Sequence, residues 1–381
     1  MRLGVIGYGE RIRHMIGEII KLHPAAHVAA IVDIRQDVIR EERLRNGEDN
    51  VSYFASADEM LQSGKIDAVL IGTRCSLHTT MALKVMKKGL PLFMEKPVAT
   101  TPEDLHLLKQ GYEQTKSGVI VSFPLRLTSL VQLVKEIVDS GKLGTIEHVQ
   151  AVNNVPYGNV YFQNWYRDEQ ETQGLFLQKA THDFDYINAV VGLRPTVVSA
   201  MVSKQIFKGD KPAGLKCVDC EENRTCLEST AFSDEATQKA WPYCCFAVDT
   251  GNEDSGSALV RYESGMHLSY SQNFFARRGA AARGARFLGY KGTVEFDFYT
   301  GIVKVFMHHT DRIETYELSA SNDHFGGDKA LAQNFIDMVT GGAPSLSTLD
   351  DGLMSAFMCL AAKRSSETGV FQSLDWSNKL V

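Results

Sequence analysis

No apolar run in this 381-residue chain approaches the roughly 18 residues that a membrane span needs, so span-forming membrane classes are excluded. An excess of positive charge is also missing. Lys and Arg number 40 against 46 Asp and Glu, a formal net charge of −6. A broad nucleic-acid surface, which needs a basic excess, is therefore not expected, although a local basic pocket remains compatible. Repeats and low-complexity stretches are lacking too. The first residues, Met1-Arg2-Leu3-Gly4-Val5-Ile6-Gly7, run straight into a strand without the charged, apolar and cleavage regions of a leader, and a cytoplasmic location is expected. Thiols stay reduced there, which bears on the seven cysteines. What is present is ordinary for a globular protein, 44% hydrophobic and 23% charged. The length exceeds one ordinary core and predicts two domains.

The first part alternates short apolar runs with helical periodicity, the signature of βαβ units around a parallel sheet. Strands are expected at Leu3–Gly7, Val28–Asp33, Asp67–Thr73, Leu90–Met94 and Val119–Phe123. After about residue 125 the texture changes. A helix near Leu130–Ser140 leads to a strand at Ile146–Asn153, and a further helix holds His182 and ends at Gly192. Gly-marked turns such as Glu263-Ser264-Gly265 and Tyr290-Lys291-Gly292 then join a series of strands as hairpins. Two helices, Asp328–Thr340 and Leu349–Thr368, close the chain. The expected fold is α/β: a doubly wound parallel sheet of Rossmann type over residues 1–124, then an α+β domain over 125–381 with a mainly antiparallel open sheet. A cysteine-rich insert falls at about 207–252.

Gly7-Tyr8-Gly9-Glu10-Arg11-Ile12 follows a strand and opens a helix, the context a dinucleotide turn requires. Gly7 permits the tight turn, and Gly9 lets the backbone approach a pyrophosphate at the helix N-terminus. Ile12 stands where a third glycine is usual. Asp33, ending the second strand, lies where adenosine ribose hydroxyls would sit and favours NAD by repelling a 2′-phosphate. Arg35 could instead meet that phosphate, so NADP stays open. Farther along, Lys96 lies in Glu95-Lys96-Pro97 at the end of the strand Leu92-Phe93-Met94. A lysine so placed beside a dinucleotide suits oxidation or reduction at an alcohol carbon, where a proton must move as the hydride does.

These motifs, together with Thr73, Ser76-Leu77-His78, Gly174, His182-Asp183-Phe184-Asp185 and Gly326-Gly327-Asp328, resemble the Gfo/Idh/MocA family of glucose-fructose oxidoreductases and inositol dehydrogenases. The resemblance covers nearly the whole chain. It implies a Rossmann domain, a C-terminal domain whose open sheet forms the interface of a homodimer or homotetramer, and a carbohydrate-like substrate. It also implies that Thr73, Arg74 and His78 line the cofactor and that Glu95-Lys96-Pro97 lies at its nicotinamide end. There Lys96 bonds the substrate hydroxyl, and a cis bond before Pro97 helps aim it. Two departures stand out. Thr73-Arg74-Cys75 replaces the usual Thr-Pro-Asn, and Gln178 replaces an aspartate four residues before His182.

A free lysine titrates near 10.4, too high for a base at neutral pH, so burial or a neighbouring cation such as Lys179 must lower it. His182 is the other candidate base, already near neutrality. Lys179 and His182 are three apart and share a helix face. The expected roles are His182 as proton acceptor or relay, Lys96 as polarising group, and Lys179 as substrate anchor. Arg126, Tyr157 and Trp165 are further substrate-lining candidates, with Arg167 beside them. The basic stretch 276–286 reads either as a mobile hairpin connection or as a cover for an anionic substrate. Cys217, Cys220, Cys226, Cys244 and Cys245 form C-x2-C-x5-C-x17-C-C, which admits a structural zinc, plain reduced thiols or a labile disulfide. Two other functions stay open at this point: cleavage of a glycoside or elimination through tightly held, recycled NAD, and a non-catalytic nucleotide-binding sensor.

Overall fold

The computed structural model describes residues 1–48, 50–318 and 325–376, which divide into two compact units. The first unit holds Met1–Val131 with Ser321–Phe357, and the second holds Gln132–Ala320 with Met358–Val381. Sequence texture places 325–357 in the C-terminal domain. Contacts instead place it in the first unit, because the helix Gly327–Gly341 supplies apolar surface that the parallel sheet needs.

In the first unit six parallel strands run in the order β3-β2-β1-β4-β5-β6. They are β1 (Arg2–Ile6), β2 (His27–Val32), β3 (Ser52–Tyr53), β4 (Ala68–Ile71), β5 (Leu92–Met94) and β6 (Val119–Val121). All but β3 match expected strands. Their near-continuous apolar character follows from burial on both faces. Helix α1 (Glu10–Leu22) places Ile12, Met15, Ile16 and Ile19 on one stripe against Leu3, Val5 and Leu70. Leu331, Phe335 and Met338 of the helix Gly327–Gly341 join the same core, with Phe335 edge-on to Phe93 at 5.8 Å. Edge strand β6 does not end bare: Val121 N–H donates to the Ser347 carbonyl, and Ser347 Oγ donates back to the Val121 carbonyl at 2.9 Å.

The second unit is built on a nine-stranded sheet of β7 (Ile146–Asn154), β8 (Pro195–Ser203), β9 (Ser255–Tyr262), β10 (His267–Asn273), β11 (Ala282–Gly289), β12 (Gly292–Asp297), β13 (Ile302–Met307), β14 (Ile313–Glu317) and β15 (Gln372–Ser373), in the order β14-β13-β12-β11-β7-β10-β9-β8-β15. Its pairings are antiparallel except that β7 (Ile146–Asn154) runs parallel to β10 (His267–Asn273). Alternation is clean. In β9 (Ser255–Tyr262), Gly256, Ala258, Val260 and Tyr262 are buried between solvent-facing neighbours. The inner face is covered by the helix Thr181–Val191, whose Phe184 packs on Tyr270 and Tyr186 on Phe296. That helix ends on Gly192 in a left-handed conformation, as its sequence predicts. The insert between β8 (Pro195–Ser203) and β9 holds a single 3-10 turn at Cys217–Asp219 and one short helix, Glu235–Ala240, among its described elements.

The stretch 276–286 is not one loop. β11 (Ala282–Gly289) begins inside it, and Arg283 is in register with Asn153 of β7. Period-two alternation sets Arg283 on the inner face with Ala285 and Phe287, a pattern hidden from composition by the glycines and alanines around it.

Candidate active site

In the first unit, β1 runs into Gly7, whose φ of 82° is left-handed and whose added Cβ would lie 2.6 Å from Thr73 N. Only glycine suits that turn. Gly9 then starts α1 with no side-chain cap, and a Cβ there would meet nothing nearer than the Gly72 carbonyl at 3.6 Å. The first amides of a 13-residue helix are thus left for an outside acceptor, as anion sites at helix N-termini require. The absent third glycine has a structural explanation. Ile12 is buried in the core, and the close approach between helix and sheet is made by Gly72, where an added Cβ would fall 2.0 Å from Ile12 Cγ1. The small residue has moved from the helix to the facing strand end.

Asp33 accepts from Tyr8 N–H and from Arg35 N–H, both at 2.8 Å, and its carboxylate sits 3.3 Å from Arg35 Nε. Burial pushes the Asp33 carboxyl up, but the bonds from Arg35 and Tyr8 outweigh it and hold it below the usual range. Other arginines surround Tyr8. Arg13 and Arg43 each lie 5.5 Å from its ring, and Arg43 donates to its hydroxyl at 2.6 Å. Arg13 is paired with Glu42 at 2.7 Å and Arg43 with Glu48 at 2.9 Å.

β5 ends at Glu95-Lys96-Pro97, with a cis peptide between Lys96 and Pro97. From Leu92 to Thr100 every residue is buried except Lys96, which is half-buried. The strand end is therefore fixed in the core while one ammonium-bearing side chain reaches outward. Two groups hold that stretch. Arg11 lies 3.3 Å from Glu95, 2.5 Å from Asp328 and 3.2 Å from Ser122 Oγ, and His14 adds a 3.1 Å contact to Asp328. His78 is buried, with Nδ1 2.7 Å from the Pro97 carbonyl and Nε2 3.2 Å from the Thr73 carbonyl; burial lowers its pKa. Arg11 and His78, expected to line the cofactor, thus also brace the Lys96 segment from inside the unit. Glu10 and Arg74 are exposed, and Thr73 is half-buried. Arg126 is buried and bonds Asp351 Oδ2 at 2.8 Å and the Leu346 carbonyl, tying the end of the sheet to the residues that follow Ser345.

In the second unit, Phe176–Ala180 is wound as a π-helix that leads into Thr181–Val191, an irregularity common at functional sites. Lys179 and His182 are only 6% and 9% exposed. Lys179 Nζ donates to Tyr157 Oη at 2.5 Å and lies 4.7 Å from the Tyr157 ring centre. Burial lowers the Lys179 pKa despite its Tyr157 partner. Gln178, standing where relatives carry aspartate, turns back to donate to the Thr172 carbonyl at 2.8 Å. Asp183 is fully buried and accepts from Asn153 at 2.7 Å, Tyr270 at 2.8 Å and Arg283 at 2.8 Å. The sequence assigns no role to Asn153 and Tyr270, and takes Arg283 only as part of the basic stretch 276–286. The available signal was their inward parity on β7, β10 and β11.

Trp165 stacks on Tyr166 at 3.9 Å, and Tyr166 leans on Tyr161 at 5.1 Å, so the loop aromatics pack as an array. Arg167 is buried against Asp249 and the Tyr243 ring. In the basic stretch, Arg277 bonds Glu228 at 2.9 Å and Arg286 pairs with Glu295 at 3.0 Å, so much of its charge is already neutralised. In the insert, an antiparallel bridge between Lys216 and Tyr243 draws Cys217 toward Cys244. All seven cysteines are free thiols, and Cys245 is buried among Phe162, Phe207 and Phe274. Among the described residues, no group of three or more His, Cys, Asp or Glu is arranged to hold a metal ion. None of the described helices is long and apolar enough to cross a membrane.

Residues 1–123 match the family described as GFO_IDH_MocA, "Oxidoreductase family, NAD-binding Rossmann fold", and residues 135–373 match its C-terminal alpha/beta domain. The Bacillus subtilis (strain 168) protein YteT, which carries an oxidoreductase name, is 26% identical over 318 residues, 73% of each chain. Inositol 2-dehydrogenase of Arthrobacter sp. (strain FB24) is 28% identical over 209 residues, 54% of this chain and 58% of that one. Among solved structures, levoglucosan dehydrogenase in complex with NADH and levoglucosan aligns at a TM-score of 0.78 with 16% identity, over 98% of this chain and 99% of that one.

Proposed function

The chain belongs to the GFO_IDH_MocA oxidoreductase family, and from that premise we propose that it transfers a hydride between a nicotinamide dinucleotide and a secondary alcohol or ketone carbon of a sugar, polyol or sugar acid. The observation that carries this reading is Lys96: a half-buried lysine at a strand end, in the same unit as an uncapped helix N-terminus entered through Gly7 and Gly9. Gly7, Gly9 and the first turn of α1, with Tyr8 and Glu10, would hold the pyrophosphate; Asp33 would meet the ribose. A bound nicotinamide would supply the hydride acceptor or donor. Lys96 would bond the reacting oxygen, and His182 would take up or relay its proton, with Thr73, Arg74 and Pro97 lining the cofactor side.

NAD is preferred over NADP in this reading. Asp33 keeps its charge, and the arginines Arg13, Arg35 and Arg43 are each paired with an acid, so a 2′-phosphate would meet Asp33 and would have to displace Arg35 from it. No zinc enters the reading, and the cysteines are assigned to packing of the insert. We place the protein in the cytoplasm as a homodimer or homotetramer joined through the nine-stranded sheet, whose outer face exposes Met201 and Leu259 among serines. Nucleic acid and membrane have no part in it.

The test is absorbance at 340 nm with NAD or NADP and myo-inositol, levoglucosan or D-glucose, for the wild type and Lys96→Ala. Net NADH formation that Lys96→Ala reduces by about 10²-fold or more is expected. Product release without net cofactor change would point to redox-cycling cleavage instead. Unaltered activity in Lys96→Ala would remove the proposed role of this lysine.

A further inference from the structure

Lys179 was expected to meet substrate directly, yet its Nζ is committed to the Tyr157 hydroxyl at 2.5 Å. The lysine is 6% exposed, whereas Tyr157 is 44% exposed. Of the pair, Tyr157 is the partly exposed member, and its hydroxyl is held by the buried ammonium. Three features make that arrangement more than packing. The segment that carries Lys179, Phe176–Ala180, is wound as a π-helix directly before the helix of His182, an irregularity common at functional sites. Arg283 adds a second cation to the same pocket and is fixed there by Asp183 at 2.8 Å, itself held by Asn153 and Tyr270. Tyr161, whose ring centre lies 5.9 Å from Lys179 Nζ, flanks the pair, and Asp183 is the carboxylate that acts on Lys179 electrostatically.

We propose that Tyr157 is a proton-transferring catalytic residue, its phenol oxygen exchanging the proton of the substrate hydroxyl, and that Lys179 is the positioning residue that holds and charges it. The proposal rests on the hydride-transfer reading above and deepens it. In the oxidising direction the substrate C–H bond breaks with its electron pair, the hydride that a bound nicotinamide would accept. The O–H bond breaks and its proton goes to the Tyr157 phenolate oxygen, which here takes the place of His182 as first acceptor, while the C–O bond becomes C=O. One dinucleotide is reduced and one proton is released, through Lys179 or past the exposed ring edge to water. Reduction runs the same steps backward. The electrostatics agree: burial pushes the Tyr157 phenol up, but Lys179 and Arg283 outweigh it and bring it below the ordinary tyrosine range.

Two measurements test this on the full-length protein. The first needs no substrate: tyrosinate absorbance at 295 nm between pH 7 and 11. Subtracting Tyr157→Phe from wild type is expected to reveal one phenol ionising below about pH 10, the ordinary value. Lys179→Met should move that phenol upward. A difference curve centred at the ordinary value in both would overturn the pairing. The second measures NADH formation with myo-inositol, levoglucosan and D-glucose. Tyr157→Phe, which keeps the ring, should lose about 10²- to 10³-fold in kcat/KM together with the pH limb of the wild type. Lys179→Met should shift that limb to higher pH, and Lys179→Arg should restore part of it. A Tyr157→Phe enzyme within threefold of wild type, with its pH limb intact, overturns the proposal and leaves hydride transfer standing. A wild type that oxidises none of the probes overturns both.

Discussion

Glu253 offers a pH test of how the Lys179 segment is held. Its Oε1 accepts from Leu175 N–H at 2.7 Å and Phe176 N–H at 3.0 Å, the amides that open the segment carrying Lys179 and His182. Burial raises its carboxyl from 4.5 to about 7 even though those amides and its own favour the charged form, and Glu169 adds to the rise. The folded state therefore keeps a proton that the unfolded chain loses near pH 4.5. Stability from this group is fully present below pH 4.5 and is lost as pH rises toward about 7. That gap, at about 1.4 kcal/mol per pH unit, corresponds to about 3–4 kcal/mol. Glu253→Gln imitates the protonated form and retains an oxygen for the two amides. At pH 5 variant and wild type should unfold at nearly the same urea concentration. By pH 8 the variant should be more stable by about 3–4 kcal/mol, read as a difference in urea midpoint across four pH values. Parallel curves for the two proteins over that range would refute the reasoning, and a variant less stable at pH 8 would reverse its sign.

Gly72→Ala should destabilise by about 1–3 kcal/mol, since its Cβ would fall 2.0 Å from Ile12 Cγ1. Combining it with Ile12→Ala should cost less than the two single changes summed, as chemical denaturation of all four proteins would show. Arg11→Met removes the guanidinium that lies 2.5 Å from the carboxylate of Asp328, 1% exposed, and should cost about 3–5 kcal/mol by denaturation. The same variant should lower kcat through a loosened Glu95, whereas a fall in cofactor affinity alone would restore Arg11 to a direct pyrophosphate role. Asp33→Ser should improve the NADP-to-NAD ratio of kcat/KM by about tenfold, the equivalent of about 1.4 kcal/mol of removed repulsion. An unchanged ratio would show that Asp33 does not face the ribose.

Periodicity was a sound guide wherever an element buries a regular stripe. Helix Leu349–Thr368 and strands β5, β7 and β13 (Ile302–Met307) fall within a residue or two of their expected bounds. β3, β14 (Ile313–Glu317) and β15 (Gln372–Ser373) escaped, since two or five residues at a sheet edge carry little alternation to read. The site was legible in part for the same reason. Gly7, Gly9 and Lys96 announce themselves because backbone turns and a strand end dictate their positions locally. Arg11 and Arg126 were read as site groups from their places after β1 and β6, and their side chains close on Asp328 and Asp351. A side chain's direction is settled by partners hundreds of residues away, such as Asp328 for Arg11, and no local pattern encodes that choice.

The sequence alone determined the α/β class with its parallel and antiparallel sheets, the dinucleotide turn and the lysine at the end of β5, because hydrophobic period, glycine φ requirements and strand ends are properties of short segments. Tertiary structure decided which charges remain available for chemistry. It sealed Arg283 against Asp183 on an inner sheet face, braced Glu95 with Arg11, moved the third small residue of the turn from position 12 to Gly72, and set Lys179 behind Tyr157. The physical reason is common to all four. A buried charge or a close approach must be satisfied by whatever group the fold brings within about 3 Å, and that group is seldom a neighbour in the chain.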